Sequence, residues 1–326
     1  MEHQSQHFLL SKKARSLSLK RIYCLSDEQA FAEFVAIRFA ENDGKAFCPQ
    51  CGCAKVYEIT TRNTWKCAAR ECRTTFSATS HTIFKDRKLP FRELLLAIAF
   101  FVLEPKGISA IRLSHKLEIS YKSAFVLAHK LREVLITEQQ CKFLAGEVEV
   151  DGGYFGGYIK PGNEHPSRRG RRRLNRNPKK QMCVVVTRER WGNSRAMICS
   201  EVEGAERLPE FVDPDSFIFT DKFSGSARIS AKFKHFRVNH SQQYADGWIS
   251  TNWAESYFSR LRRFEIGTHH HVAGPYLLSY ANEACWREDR RRHTNEEDYQ
   301  ELLKLAGQHP VSRQWKGYWQ RRKEVA

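Results

Sequence analysis

The stretch Gly146-Glu147-Val148-Glu149-Val150-Asp151-Gly152-Gly153-Tyr154-Phe155-Gly156-Gly157 decides how the rest of the chain is read. Val148 and Val150 alternate with Glu147, Glu149 and Asp151. That period of two predicts a β-strand with one apolar and one acidic face. Four glycines follow the last acid, so the strand is expected to end there in a sharply bending backbone. A carboxylate at a strand tip beside such a turn is well placed to hold a metal ion. Glu149 shares the face of Asp151, which makes it either a support for that site or a solvated acid.

Outward from this stretch, the bulk numbers set the frame. The 326 residues have room for two or three domains. A formal charge of +17 and a pI near 9.5 point to a polyanionic partner, nucleic acid first. The apolar run Phe8-Leu9-Leu10 is too short for a secretory signal. Leu94 to Leu103 is apolar over ten residues, about half a membrane span, and reads as a buried helix. The ten cysteines do not form a secreted scaffold, which fits a reducing cytoplasm. The expected protein is cytoplasmic and DNA-associated, with no membrane partner.

On the N-terminal side, residues 1–45 read as a basic arm and a short helix opened by the capping box Ser26-Asp27-Glu28-Gln29. Residues 46–86 hold Cys48-Pro-Gln-Cys51 and, fifteen residues on, Cys67-Ala-Ala-Arg-Glu-Cys72. Two cysteine knuckles around a hairpin predict a zinc ribbon, with Cys48, Cys51, Cys67 and Cys72 as ligands of a structural Zn²⁺. Cys53 is a spare candidate, and Lys55, Arg62, Lys66 and Arg73 would be presented nearby. Residues 87–142 read as a helix over Phe91 to Leu103, then two helices, Ile108 to Leu117 and Tyr121 to Leu135. This is the shape of a helix-turn-helix in which Lys122, His129, Lys130 and Arg132 could face DNA.

On the C-terminal side, residues 160–180 contain nine basic residues and one acid. Arg168, Arg169, Arg171, Arg172 and Arg173 form the densest part, a loop suited to phosphate contacts. Met182 to Thr187 and Arg195 to Val202 predict two strands that complete an antiparallel meander. A short helix follows over Leu208 to Val212, then a buried strand, Phe217 to Asp221, that again ends in an aspartate. Three strands, a helix, a fourth strand and then helices is an order similar to the ribonuclease H-like fold, an α/β (α+β) core here assigned to residues 143–295. In that fold the first and fourth strand tips lie together, so Asp151 and Asp221 would meet. Residues 251–264 put Trp253, Tyr257, Leu261 and Phe264 on one helical stripe and Asn252, Glu255, Ser259 and Arg262 on the other face. Glu255 would supply a third acid. Asn252 is either a substrate-positioning residue or a helix cap. Phosphodiester chemistry by two divalent ions needs such a carboxylate set, and Mg²⁺, or Mn²⁺, prefers carboxylate oxygen. Arg262 would hold DNA phosphate.

These residues also carry a resemblance. The chain, from about Ser26 onward, resembles insertion-sequence DDE transposases of the ISXO-like group with an N-terminal zinc ribbon. The segments that carry it are Glu149 to Gly157, Asn252 to Arg263 and Gly267-Thr-His-His-His-Val-Ala-Gly274, together with Trp286 to Arg292 and Gly317 to Arg321. It implies Asp151, Asp221 and Glu255 as the metal-binding triad, DNA strand transfer, binding to terminal inverted repeats and target double-stranded DNA, and a homo-oligomer that pairs two ends. The chain departs from the group at Lys222, where many relatives have a second acid, and at Arg262, where many have lysine. A nuclease without strand transfer and a DNA-binding derivative without chemistry are the competing functions. Residues 296–326 read as a basic tail.

Overall fold

The computed structural model describes residues 8–158, 176–221, 223–238 and 248–321. Arg168, Arg169, Arg171, Arg172, Arg173 and Lys222 lie outside these residues. The chain divides into two compact units, 1–134 together with 292–326, and 135–291.

The first unit begins with α1 (Leu19–Tyr23) and α2 (Asp27–Arg38). The anticipated capping box is present: Ser26 Oγ accepts from Gln29 N, and the Gln29 side chain accepts from Ser26 N. Strands β1 (Val56–Ile59), β2 (Thr64–Cys67) and β3 (Thr75–Ser77) form an antiparallel ribbon in that order. Four thiols cannot by themselves make a core, and the ribbon borrows one: Trp65 stacks between Phe31 of α2 and Phe76 of β3, at 5.9 and 5.8 Å. Pro90 precedes α3 (Phe91–Leu103), whose residues 94–102 are all buried. Then come α4 (Ala110–Leu117), ended by Glu118 in the left-handed region, and α5 (Tyr121–Gln140).

The second unit is a five-stranded mixed sheet. Its strands are β4 (Glu147–Tyr158), β5 (Arg176–Glu189), β6 (Ser194–Ile198), β7 (Phe217–Thr220) and β8 (Lys234–Arg237), in the order β6-β5-β4-β7-β8. β4, β5 and β6 form an antiparallel meander, whereas β7 runs parallel to β4 and β8 parallel to β7. Helix α6 (Glu201–Arg207) links β6 to β7, and α7 (Ser226–Ser230) links β7 to β8. Then follow α8 (Asn252–Arg263) and α9 (Leu277–Asp289). The alternation along β4 and β5 builds two cores. Val148, Val150, Val185 and Ile218 pack with Ala205, Leu208 and Phe211 on one face. Val184, Val186 and Ala196 pack with Tyr257, Phe258, Leu261 and Ala281 on the other. The chain returns to the first unit with α10 (Asn295–Gln308) and α11 (Tyr318–Arg321). No helix among the described residues is long and apolar enough to cross a membrane.

The structure revises several expectations. β4 does not stop at the glycines but continues through Gly152 and Gly153, paired with Val185 and Val184 of β5. These two glycines serve close approach: a Cβ at Gly152 would lie 2.5 Å from the Glu201 carboxylate, and one at Gly153 2.5 Å from the Phe258 ring. Only Gly156 and Gly157, at φ +80° and +71°, take the conformation that needs glycine, where the register shifts. The third strand is shorter than read, because Ser200 Oγ accepts from Glu203 N and starts α6 there. Within the helix-turn-helix region, His129 and Arg132 do not face solvent. His129 is fully buried with its ring stacked on Trp315 at 4.4 Å, and Arg132 donates to Ile108 O. Of the four residues offered to DNA there, Lys122 is exposed. Residues 296–308 belong to α10, whose buried stripe Tyr299, Leu302, Leu303 and Ala306 packs with α2 and α3.

Candidate active site and metal-binding residues

The pairing of β4 with β7 runs from Glu147↔Phe217 to Val150↔Thr220. Asp151, still within β4, and Asp221, the first residue after β7, come next. Side chains alternate across a strand, so Asp151 falls on the face that carries Glu149, and Asp221, just past the end of β7, is near enough for its charge to act on Asp151. Helix α8 covers this face with Tyr257, Phe258 and Leu261, and leaves Asn252, Glu255, Ser259 and Arg262 exposed. The two helical faces separate as the sequence predicted. Asn252 is the first residue of the helix rather than its cap, which is Thr251.

The electrostatics mark the same place. Burial raises the Asp151 carboxyl to about 6, and the charges of Asp221, Glu201 and Glu255 push in the same direction; the Gly152 N–H, which donates to Asp151 Oδ1 at 2.7 Å, opposes them. Asp221 Oδ1 is buried with no hydrogen-bond partner among the described residues. A buried carboxylate oxygen left without a donor is costly and suits a hard cation, so the donor set fits Mg²⁺ or Mn²⁺. Among the described residues, the cysteine quartet is the group whose ligand atoms lie within 4.8 Å of one another; the carboxylates are spread more widely.

Three residues around these acids escaped the sequence reading or were left open by it. Glu149 is fully buried, and both of its oxygens are used. Oε1 accepts from Arg190 Nε at 2.9 Å, and Oε2 accepts from the backbone N–H groups of Trp253 and Ala254 at 2.8 and 3.0 Å. It is therefore not a solvated acid. Arg190 also donates to Glu147 Oε2, to the carbonyls of Trp248 and Ser250, and lies over the Phe219 ring at 4.1 Å. Glu201, the first residue of α6, lies against Gly152, and its Oε2 accepts from Ser224 N, three residues past Asp221, at 2.7 Å. The sequence held a signal for it: Ser200 followed by Glu201 and Glu203 is a helix start with acids in the first turn.

In the first unit the four cysteines come together as their spacing implied. Cys48 and Cys72 sulfurs lie 3.7 Å apart, and Cys51 and Cys67 sulfurs 3.5 Å apart. All four ligand atoms lie within 4.8 Å of one another, so the set can hold one tetrahedral ion. Cys53 stays outside it, with its thiol donating to Lys55 O. Lys55, Arg62, Lys66 and Arg73 are all exposed around the ribbon.

Fold and site together define a cysteine-ribbon protein with a carboxylate-bearing mixed-sheet unit. Comparison with known proteins makes this specific. Residues 143–289 match the ISXO2-like transposase domain, and residues 25–75 match the transposase zinc-ribbon domain. The chain is 23% identical over 273 residues, 80% of its length, to a Halobacterium salinarum protein described as "Uncharacterized protein in transposable element ISH50", of which the match covers 91%. It is 27% identical over 95 residues, 28% of its length, to an "Uncharacterized transposase-like protein" of Haemophilus influenzae, of which the match covers 76%. The chain belongs to the ISXO2-like transposases and carries a transposase zinc ribbon ahead of the main domain.

Proposed function

We propose that this transposase binds transposon ends and catalyses Mg²⁺-dependent phosphodiester cleavage and strand transfer, with Asp151, Asp221 and Glu255 as its metal-binding acids. The observation that carries this is the register of β4 and β7, whose last pair, Val150↔Thr220, comes immediately before Asp151 and Asp221. The strand order β6-β5-β4-β7-β8, an antiparallel meander continued by two parallel strands, supports a ribonuclease H-like core. When bound, divalent ions would stabilise charge on the attacking and leaving oxygens. Asp151 and Asp221 would hold them from the sheet and Glu255 from α8. Arg262, exposed two turns beyond Glu255, would hold a DNA phosphate, with Asn252 at the start of the same face. Arg168, Arg169, Arg171, Arg172 and Arg173 would add phosphate contacts, and the ribbon, folded around Zn²⁺, would present its basic rim to the terminal repeat. Pairing two ends would take a homo-oligomer on DNA.

A joining assay with pre-cut 3′-OH ends in Mg²⁺ tests this. The unaltered chain is expected to yield strand-transfer products, and Asp151→Asn and Glu255→Gln to bind ends without cutting or joining. Hydrolysis without joined products would make the protein a nuclease. Cutting that survives both substitutions would overturn the triad.

A further inference from the structure

Thr251 holds the N-cap position of α8 but makes no side-chain capping bond. The first amides of a helix need acceptors, and here a strand supplies them: Glu149 Oε2 takes the N–H groups of Trp253 and Ala254. Arg188 Nη1 donates to Trp253 O at 2.8 Å, so the same turn is gripped at both its amide and its carbonyl. Glu149 is two residues before Asp151 on β4, and Ala254 is the residue before Glu255 on α8. One buried carboxylate thus joins the two elements right beside the two acids. A cap drawn from α8's own flank would stabilise the helix equally well, yet would leave its distance from β4 to looser packing.

We infer that Glu149 is a positioning residue: it sets the separation of Asp151 and Glu255, and through that separation the affinity of the site for a divalent ion. The inference rests on the reading of Asp151, Asp221 and Glu255 as the metal-binding set. A carboxylate that merely closes a helix end predicts lower stability with unchanged ion binding. A residue that orients metal ligands predicts weaker ion binding, typically by about 10–100-fold when such a partner is lost.

The experiment uses the full chain with Mn²⁺ alone as the probe, free and bound ion being counted by electron paramagnetic resonance, and thermal midpoints recorded in parallel. Asp151→Asn sets the baseline for loss of the site. Glu149→Gln keeps the shape but weakens the acceptor and faces Arg190 with an amide. It is expected to bind Mn²⁺ about 10–100-fold more weakly than the unaltered chain, with end binding in the absence of metal unchanged and with cleavage partly restored at high Mn²⁺. If Glu149→Gln does not fold, Glu149→Leu combined with Arg190→Met removes both members of the buried pair and is measured in the same way. Mn²⁺ affinity equal to that of the unaltered chain in the folded variant overturns the inference, provided Asp151→Asn has lost the ion. Should Asp151→Asn also keep it, the metal-binding reading itself is overturned.

Discussion

Asp151 has a carboxyl that burial and three neighbouring acids raise from 3.8 to about 6. Its folded-state value lies above its unfolded one, so its contribution to stability is fully present below about 3.8 and is lost as the pH rises through about 6. The metal-free protein is expected to weaken across that window by up to roughly 3 kcal/mol, and Asp151→Asn to lack this step. Urea midpoints at pH 4 and pH 7 would show it, and added Mg²⁺ should reverse it. Gly153 is a second sensitive position, because a Cβ there would fall 2.5 Å from the Phe258 ring. Gly153→Ala should therefore lift α8 off the sheet and cost about 1–3 kcal/mol, read by chemical denaturation. The aspartates were legible in the sequence because each closes a run with a period of two or a buried run. Glu149 was ambiguous because its partners Trp253 and Ala254 lie more than a hundred residues away, and no local pattern encodes them. Glu201 was missed because the strand reading was carried past Ser200, where the capping bond shows a helix beginning.

At the scale of elements, helices were read well where a cap and an apolar stripe agree. α2 with its capping box and α3 behind Pro90 both formed where they were expected. In sequence the glycines after Asp151 signal a turn, whereas Gly152 and Gly153 stay paired within β4 and mark close approach instead. The basic character of the helix-turn-helix region misled for another reason: the C-terminal segment folds back over it, so His129 lies under Trp315. The ribbon makes the clearest element-scale prediction. It has three short strands and leans on Trp65, too little apolar core to hold its shape without the metal-clasped knuckles. Cys67→Ser, at a buried thiol of the quartet, is expected to abolish zinc retention and expose 46–86 to proteolysis. End binding should fall while unit 135–291 keeps its own resistance to cleavage.

For the whole molecule, the charge of +17 makes salt the natural variable. Binding to double-stranded DNA is expected to fall steeply with ionic strength, with a log–log slope of about 0.9 per phosphate contact. Replacing Arg168, Arg169, Arg171, Arg172 and Arg173 by glutamine should flatten that slope on any sequence, measured by fluorescence anisotropy over a salt series. The cap that Glu149 supplies to α8 has a consequence for timing. A helix whose first amides are satisfied by a residue 104 positions upstream cannot finish until the chain between them has been made and the sheet has closed, and such distant contacts form late. On the proposed reading, Glu255 on that helix is therefore expected to join Asp151 and Asp221 last as the protein folds and to leave them first as it loosens. A half-built or fraying copy is then expected to hold its two aspartates without the third acid, and to bind DNA without cutting it. Amide exchange would register this as Trp253 and Ala254 opening ahead of the amides that pair β4 with β5 and β7.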